Sequence, residues 1–225
     1  MTKVIGFFHL PCLESFMSQA FDKIAPAYVH LERILFDSRL QAMRCAFLNR
    51  VTQAKKVLLV GEGPGSFLAE LLKTNQVGFV TVVEPSARMI SLARSRVKEK
   101  DLDRVSFLRS TLEEADLSRS YDAACTICFW DCFTEAKIRN LFPKMSGCIK
   151  KGGKWLNVDF CEPKNCSPIS HFLLLRFLYG FFNLATGIGA MRVVDVEPIA
   201  NSNGLHSLQC KQDKKFPIKA QFFAK

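Results

Sequence analysis

The chain has 225 residues, which is enough for one α/β domain with a substantial core and too few for two full domains. Its formal charge of +10 permits an anionic partner, but the basic residues are spread along the chain, without the aromatic-interleaved basic patch typical of nucleic-acid binding. Nine scattered cysteines predict reduced thiols in a cytoplasmic protein and argue against a disulfide-stapled secreted one.

The amino-terminal part, 12–54, is predicted to be helical, with an interruption at Pro26. The apolar stretch before it, Val4 to Leu10, is too short for a convincing signal peptide and lacks small residues before a cleavage site. We expect 1–54 to form a helical lid on a domain made by 55–225, so that the chain is effectively one domain.

Three glycines at alternate positions mark the centre of the sequence. The apolar run Val57 to Val60 predicts a buried strand, Gly61, Gly63 and Gly65 follow it, and a helical pattern begins near Ser66. Glycine is needed in such a turn because the backbone takes angles that a Cβ disfavours and because a ligand approaches the main chain closely. A strand, a glycine-rich turn and a helix are typical of nucleotide-binding α/β units.

The next predicted strand, Val80 to Val83, ends in Glu84, a carboxylate that can accept both hydroxyls of a ribose. A dinucleotide site has its third glycine three residues after the second, a position that Ser66 occupies here. NAD or FAD binding therefore remains one alternative, and a tight turn that binds no ligand is another.

The Gly-x-Gly-x-Gly spacing, with the acid closing the second strand, resembles the S-adenosylmethionine (AdoMet) site of class I methyltransferases. The resemblance implies a Rossmann-like three-layer sandwich, in which a seven-stranded, mostly parallel sheet ends in an antiparallel hairpin. It also implies AdoMet as the cofactor. The family usually has an acid two residues before the first glycine; here that residue is Leu59, and Glu62 is our candidate partner for the methionine ammonium.

Further cofactor contacts are expected after the second and third strands. Pro85 opens a helix that runs to about Lys98, with Met89 on the cofactor side or in the core. After the third strand, Val105 to Leu108, the family commonly has an aspartate for the adenine amine, and this chain offers Ser110 and Thr111.

The fourth predicted strand, Tyr121 to Phe129, leads into Trp130 and Asp131. Ligands of open α/β sheets lie beyond the carboxyl ends of the strands, so Phe129, Trp130 and Asp131 are expected near the reacting methyl group. Trp130 would contact the sulfonium by cation–π attraction or simply pack. Cys125-x-x-Cys128 lies in the same strand with no second Cys/His pair, and we expect no metal.

The remaining elements are a helix over 134–146, a strand from Lys154 to Phe160, a cap over 163–191, and a hairpin of Leu205 to Cys210 with Phe216 to Phe223. The stretch His171 to Met191 is apolar but is interrupted by Arg176 and three glycines. It predicts buried helices over the active site, with contact to a membrane surface as the alternative to burial.

A second resemblance lies in the lid. The octapeptide Phe21 to Tyr28 is similar to a segment of the ubiquinone/menaquinone C-methyltransferase group, and this resemblance implies that Tyr28 approaches AdoMet.

These observations predict an AdoMet-dependent methyltransferase acting on a hydrophobic small molecule that is quinone-, phenol- or polyketide-like. The aromatic and aliphatic cap favours such an acceptor, whereas the Asn/Asp-Pro-Pro-aromatic motif of nucleobase amino-methyltransferases is replaced by Cys-Phe-Trp-Asp after the fourth strand. A nucleic-acid methyltransferase and a non-catalytic scaffold that retains the fold are the alternatives. The candidate general bases are Asp131, Asp159, His171 and His30. The candidate cofactor contacts are Tyr28, Gly61, Glu62, Gly63, Gly65, Glu84, Pro85, Met89, Ser110, Thr111, Phe129 and Trp130.

Overall fold

The computed structural model of the chain describes residues 38–117, 120–162 and 192–225, together with Asp22, Ala25, Glu32 and 34–36. Three of the candidate site residues, Tyr28, His30 and His171, lie outside the described residues, as do the cap 163–191 and most of the lid 1–54.

Seven strands form one sheet in the order β3-β2-β1-β4-β5-β7-β6. Strands β1 to β5 are parallel, and β7 is antiparallel to both of its neighbours, β5 and β6. This is the predicted mostly parallel sheet with an antiparallel carboxyl-terminal hairpin. The strands are β1 (Lys56–Val60), β2 (Phe79–Val83), β3 (Val105–Leu108), β4 (Tyr121–Ile127), β5 (Ile149–Phe160), β6 (His206–Gln212) and β7 (Ile218–Ala224).

Five α-helices and three 3₁₀ turns have both of their ends within the described residues. The helices are α1 (Arg39–Arg44), α2 (Ser66–Lys73), α3 (Ala87–Ser95), α4 (Glu135–Cys148) and α5 (Glu197–Ser202). The 3₁₀ turns span Leu48–Arg50, Glu99–Arg104 and Trp130–Cys132.

The sheet is covered on both faces, which explains why its central strands are continuously apolar. Along β1, Val57 and Leu59 pack with residues of α1 and α2 on one face, while Leu58 and Val60 pack with residues of α4 and α5 on the other. Alternate side chains of a strand point to opposite faces, so four consecutive apolar residues supply two separate cores. The result is the predicted three-layer sandwich.

The structure corrects three predicted elements. The helical prediction for 12–54 is wrong at its end, because α1 stops at Arg44 and turns follow. Strand β5 begins at Ile149, before the predicted start, because the pairing of β4 with β5 is irregular between Tyr121 and Ala123 and the glycines lie inside the strand. The short helix α5 has no counterpart in the sequence prediction.

None of the helices within the described residues has the length and the apolar character that crossing a membrane requires. The seven cysteines in the same residues form no disulfide, and those residues contain no cluster of His, Cys, Asp or Glu arranged to hold a metal ion.

Candidate cofactor and acceptor site

The three glycines of the turn all have positive φ, at +70° for Gly61, +63° for Gly63 and +85° for Gly65. Two of them are also required by packing. A Cβ on Gly61 would lie 2.6 Å from the Phe129 ring, and a Cβ on Gly65 would lie 2.6 Å from Cα of Ala93 in α3. Gly61 therefore lets the end of β4 rest on the turn, and Gly65 lets α3 pack against the start of α2.

Gly63 differs from its two neighbours because none of the described residues packs closely against its α-carbon. The nearest heavy atom to a Cβ built there is Sδ of Met89, at 4.0 Å. No packing contact within the described residues therefore accounts for the glycine. A ligand can therefore approach the main chain closely around Gly63, a segment that we call the cradle.

Glu84 lies at the carboxyl end of β2, directly beside this cradle. Its Oε2 accepts a hydrogen bond from the Gly63 N–H at 3.3 Å, and its Oε1 accepts one from the Ser86 N–H at 3.0 Å. An ionised carboxylate offers about four acceptor positions, so two remain for further donors. Burial raises the pKa of Glu84 to about 7, against the two backbone hydrogen bonds, which favour the charged form.

Glu62 caps helix α2. Gly65 is the N-cap residue and has no side chain, and Oε1 of Glu62 accepts the N–H groups of Phe67 at 2.7 Å and Leu68 at 3.3 Å in its place. Burial raises the pKa of this carboxyl to about 7, although the Arg44 guanidinium and the two N–H groups act in the opposite direction. Its Oε2 is buried without a hydrogen-bond partner among the described residues, so one acceptor atom of Glu62 is unpaired there.

Helix α3 begins at Ala87, two residues after the predicted start at Pro85, and Ser86 is its N-cap. The Ser86 hydroxyl accepts the Met89 N–H at 3.1 Å, and Met89 is buried next to Gly63. Pro85, half-buried, links this cap to Glu84. The ribose acid, the cap and the Met89 side chain are thus held by one short segment.

The two hydroxyl candidates after β3 are in different situations. The Thr111 hydroxyl is bonded to Glu114, accepting its N–H and donating to its carboxylate, both at 3.2 Å. The Ser110 hydroxyl donates to the Thr111 carbonyl at 3.1 Å and keeps its acceptor lone pairs. Ser110 is therefore the better placed of the two to accept a hydrogen bond from a ligand.

Phe129 and Trp130 leave β4 together, and their rings make an edge contact with centroids 4.8 Å apart. Phe129 lies against Gly61 and is half-buried. The Trp130 ring is only 1% exposed and packs on Phe142 of α4. This burial favours the packing alternative for Trp130 over a pocket wall.

The carboxyl ends of β4 and β5 bring Asp131 and Asp159 together. Asp159 is held by three backbone N–H groups, those of Trp130 at 3.0 Å, Asp131 at 3.3 Å and Phe160 at 2.9 Å. The two carboxyl groups are hydrogen-bonded to each other; burial raises the pKa of Asp131 to about 6, and burial with the neighbouring Asp131 raises the pKa of Asp159 well above its usual range. The pair therefore holds one proton near neutral pH and titrates as a unit.

Two thiols border this carboxyl pair. Cys128 has a positive φ of 49°, an uncommon conformation for a residue with a Cβ, at the point where β4 ends. Burial raises the pKa of both Cys128 and Cys132 well above the usual value, and the nearby carboxylates act in the same direction. Both thiols are therefore protonated at neutral pH, a state that disfavours metal binding and nucleophilic attack.

Sequence analysis does not identify Asp22 as a residue of the site. Asp22 reaches the start of α3, where its Oδ1 accepts hydrogen bonds from the Ser86 hydroxyl at 2.5 Å and the Arg88 N–H at 3.0 Å. The contact joins residues more than sixty positions apart in the chain. The resemblance of 21–28 draws attention to this segment, but nothing in that resemblance indicates the partner of Asp22.

Comparison with known proteins agrees with this geometry. Residues 57–153 match a family model described as a methyltransferase domain. This match covers less than half of the chain, and it agrees with the predicted enzyme class. No curated protein is detectably similar to the chain in sequence.

Solved structures share the fold at low sequence identity. The mitomycin 7-O-methyltransferase superposes with a TM-score of 0.71 at 17% identity, covering 93% of this chain and 60% of its own. Human N-acetylserotonin methyltransferase in complex with AdoMet superposes with a TM-score of 0.69 at 15% identity, covering 96% of this chain and 59% of its own. The N-methyltransferase NodS from Bradyrhizobium japonicum, in complex with S-adenosylhomocysteine, has a TM-score of 0.65 at 14% identity. This superposition covers 93% of this chain and 98% of NodS.

These likenesses confirm the predicted class I methyltransferase fold, and the ligands of the last two structures agree with the predicted cofactor. The chain spans about 60% of the length of the first two of these structures.

Proposed function

We propose that the protein transfers a methyl group from AdoMet to a hydrophobic small molecule. The observation that carries this proposal is the open face at Gly63 beside the Glu84 carboxylate. A glycine with positive φ, no packing contact and an acid on its flank suits a ligand that brings a ribose close to the main chain. The methyltransferase domain match, which includes both residues, supports the same assignment.

The residues present fit AdoMet. The two remaining acceptor positions of Glu84 match the two ribose hydroxyls, and the half-buried Ser110 is our candidate for the adenine amine. The unpaired Oε2 of Glu62, the residue between Gly61 and Gly63 in the turn, suits the methionine ammonium. When bound, AdoMet supplies a methyl group that its sulfonium has already activated.

The protein's own chemical task is to align the acceptor, exclude water and take a proton from it where needed. Asp131 is our candidate for that base. It is half-buried at the carboxyl end of β4, and its pKa of about 6 keeps it largely ionised at neutral pH. Asp159 then acts as a positioning residue, since its bonds to the Trp130 and Asp131 N–H groups fix the 3₁₀ turn that carries Asp131.

Two similarities support the acceptor class. The mitomycin and N-acetylserotonin enzymes are named for small-molecule substrates, and they share the fold with this chain. The similarity of Phe21 to Tyr28 to the quinone C-methyltransferase group suggests an aromatic ring. We therefore propose a phenol- or quinone-like acceptor. We also propose that the protein acts in the cytoplasm and that the chain forms one domain, divided into lid, core and cap as predicted.

Calorimetric titration of the purified chain tests the proposal. AdoMet and S-adenosylhomocysteine should bind with micromolar dissociation constants, and NAD, which lacks the methionine portion, should not bind. A folded protein that binds neither of the first two would refute the proposed function and support the scaffold alternative. Binding of NAD alone would assign the glycine turn to a dinucleotide.

A further inference from the structure

Asp22 is bound at the amino-terminus of α3, far from its neighbours in the sequence. Its Oδ1 accepts two hydrogen bonds, from the Ser86 hydroxyl at 2.5 Å and from the Arg88 N–H at 3.0 Å. The Ser86 hydroxyl oxygen accepts a hydrogen bond from the Met89 N–H, and the hydroxyl hydrogen is donated to Asp22. Asp22 and Ser86 therefore act together as one cap on α3.

The electrostatic setting keeps Asp22 ionised. The hydrogen bonds from Ser86 and Arg88, and the charges of Arg109 and Arg88, outweigh partial burial and lower the pKa of Asp22. A carboxylate at the amino-terminus of a helix is also favoured by the helix dipole. Charge-assisted bonds of this kind are stronger than neutral ones, so the cap restrains Ser86 firmly.

Ser86 connects this cap to the proposed ribose site. Its N–H donates to Oε1 of Glu84 at 3.0 Å, and Oε2 of Glu84 accepts the Gly63 N–H at 3.3 Å. A continuous series of hydrogen bonds therefore runs from Asp22 through Ser86 and Glu84 to the open face of Gly63. A shift of the Ser86 backbone would turn the Glu84 carboxylate, because one of its two oxygens is bonded there.

We propose that Asp22 is a positioning residue for cofactor binding. By fixing Ser86, it holds the Glu84 carboxylate in the orientation that presents its free acceptor positions to the two ribose hydroxyls. Asp22 acts through Ser86 and has no contact with the cofactor in this proposal. The inference rests on the proposed function, because it requires that Glu84 binds a ribose.

The test is a double-mutant cycle on AdoMet affinity, measured by calorimetry with Asp22→Ala, Ser86→Ala and the double variant. We expect Asp22→Ala to weaken binding about 3- to 30-fold, within the range of coupling between members of one hydrogen-bond network. The double variant should bind no more weakly than Ser86→Ala alone. Asp22→Asn keeps the acceptor oxygen and should restore most of the affinity, which a general loss of stability would not explain.

Asp122→Ala is the matched control. Asp122 also accepts a backbone N–H, that of Lys56 at 2.7 Å, but it lies at the amino-terminal end of β4, whereas Glu84 lies at the carboxyl end of β2, which is parallel to the central strands. This variant should lose stability without losing AdoMet affinity. Thermal unfolding of each variant shows whether it is folded at the titration temperature. If Asp22→Ala does not fold, the AdoMet affinities of Asp22→Asn and Ser86→Ala are used for the test instead.

The outcomes separate the two proposals. Wild-type protein that fails to bind AdoMet refutes the proposed function itself. Wild-type binding with unchanged affinity in Asp22→Ala, or with additive losses in the double variant, overturns the positioning role of Asp22 and leaves the proposed function intact.

Discussion

Replacing Gly63 by alanine separates cofactor binding from folding more cleanly than any other change in the glycine turn. The added methyl group meets no atom closer than 4.0 Å within the described residues, so no clash opposes it. The only cost to the folded chain is the backbone conformation at φ +63°, where a residue with a Cβ loses about 1–2 kcal/mol.

The expected effects follow from these two facts. For a chain of 225 residues, 1–2 kcal/mol corresponds to a decrease in Tm of about 2–8 °C. The methyl group stands where the ligand must approach the main chain beside Glu84. We expect the methyl group to break the ribose hydrogen bonds at a cost of about 1–3 kcal/mol in binding free energy. This cost corresponds to an AdoMet affinity about 5- to 150-fold lower.

Calorimetric titration with AdoMet and thermal unfolding measure the two effects separately. Gly204→Ala is the matched control, because Gly204 has a φ of +76° and no atom within 4 Å of an added Cβ, yet lies after α5. It should show a similar decrease in Tm and unchanged affinity. Gly65→Ala should unfold at a much lower temperature than either, because its Cβ would lie 2.6 Å from the α3 backbone. Unchanged AdoMet affinity in Gly63→Ala would refute the placement of the cofactor at this turn.

Three further predictions concern the carboxylates. Glu84→Ala should weaken AdoMet binding by about 1–3 kcal/mol, the cost of leaving ribose hydroxyls unpaired, and equal affinity in titration would reject the ribose role. Glu62 has a pKa raised from 4.5 to about 7, so ionising it costs the folded state stability as the pH rises through that range. Glu62→Gln should therefore flatten the decline in Tm over the same range, and an unaltered profile would show that Glu62 is not the titrating group. Asp131→Asn should reduce kcat about 10²–10⁴-fold while the AdoMet dissociation constant stays constant, and full activity would assign the proton transfer elsewhere.

The sequence predicted the parts of the site whose geometry is local. The three glycines, the strand before them and the helix after them form one continuous segment. The start predicted for α2 and the bounds predicted for β3 are those observed. Positive φ and a two- or four-residue hydrophobic period are properties of neighbouring residues, so they can be read from the chain directly. The position of Glu84 at the end of β2 follows from the same local reading.

The failures have equally specific reasons. The sequence offers Glu62 only as a ligand contact, whereas in the structure its side chain folds back over the turn and caps helix α2. The helical pattern of 12–54 continues beyond Arg44 in the sequence, but the chain turns there because the following residues pack on the sheet. Helix α5 has six residues, too few for a periodic signal.

By itself, then, the sequence determined the succession of strands along the chain and the nature of the glycine turn, because both depend on backbone angles and side-chain periodicity within short segments. The class of fold was implied by the family resemblance that this turn carries. Only the tertiary structure decided which distant groups meet. Asp131 and Asp159 form a pair because β4 and β5 are adjacent and parallel, and Asp22 caps α3 across 64 positions of sequence. Such contacts depend on how elements pack, and local propensity contains no information about them.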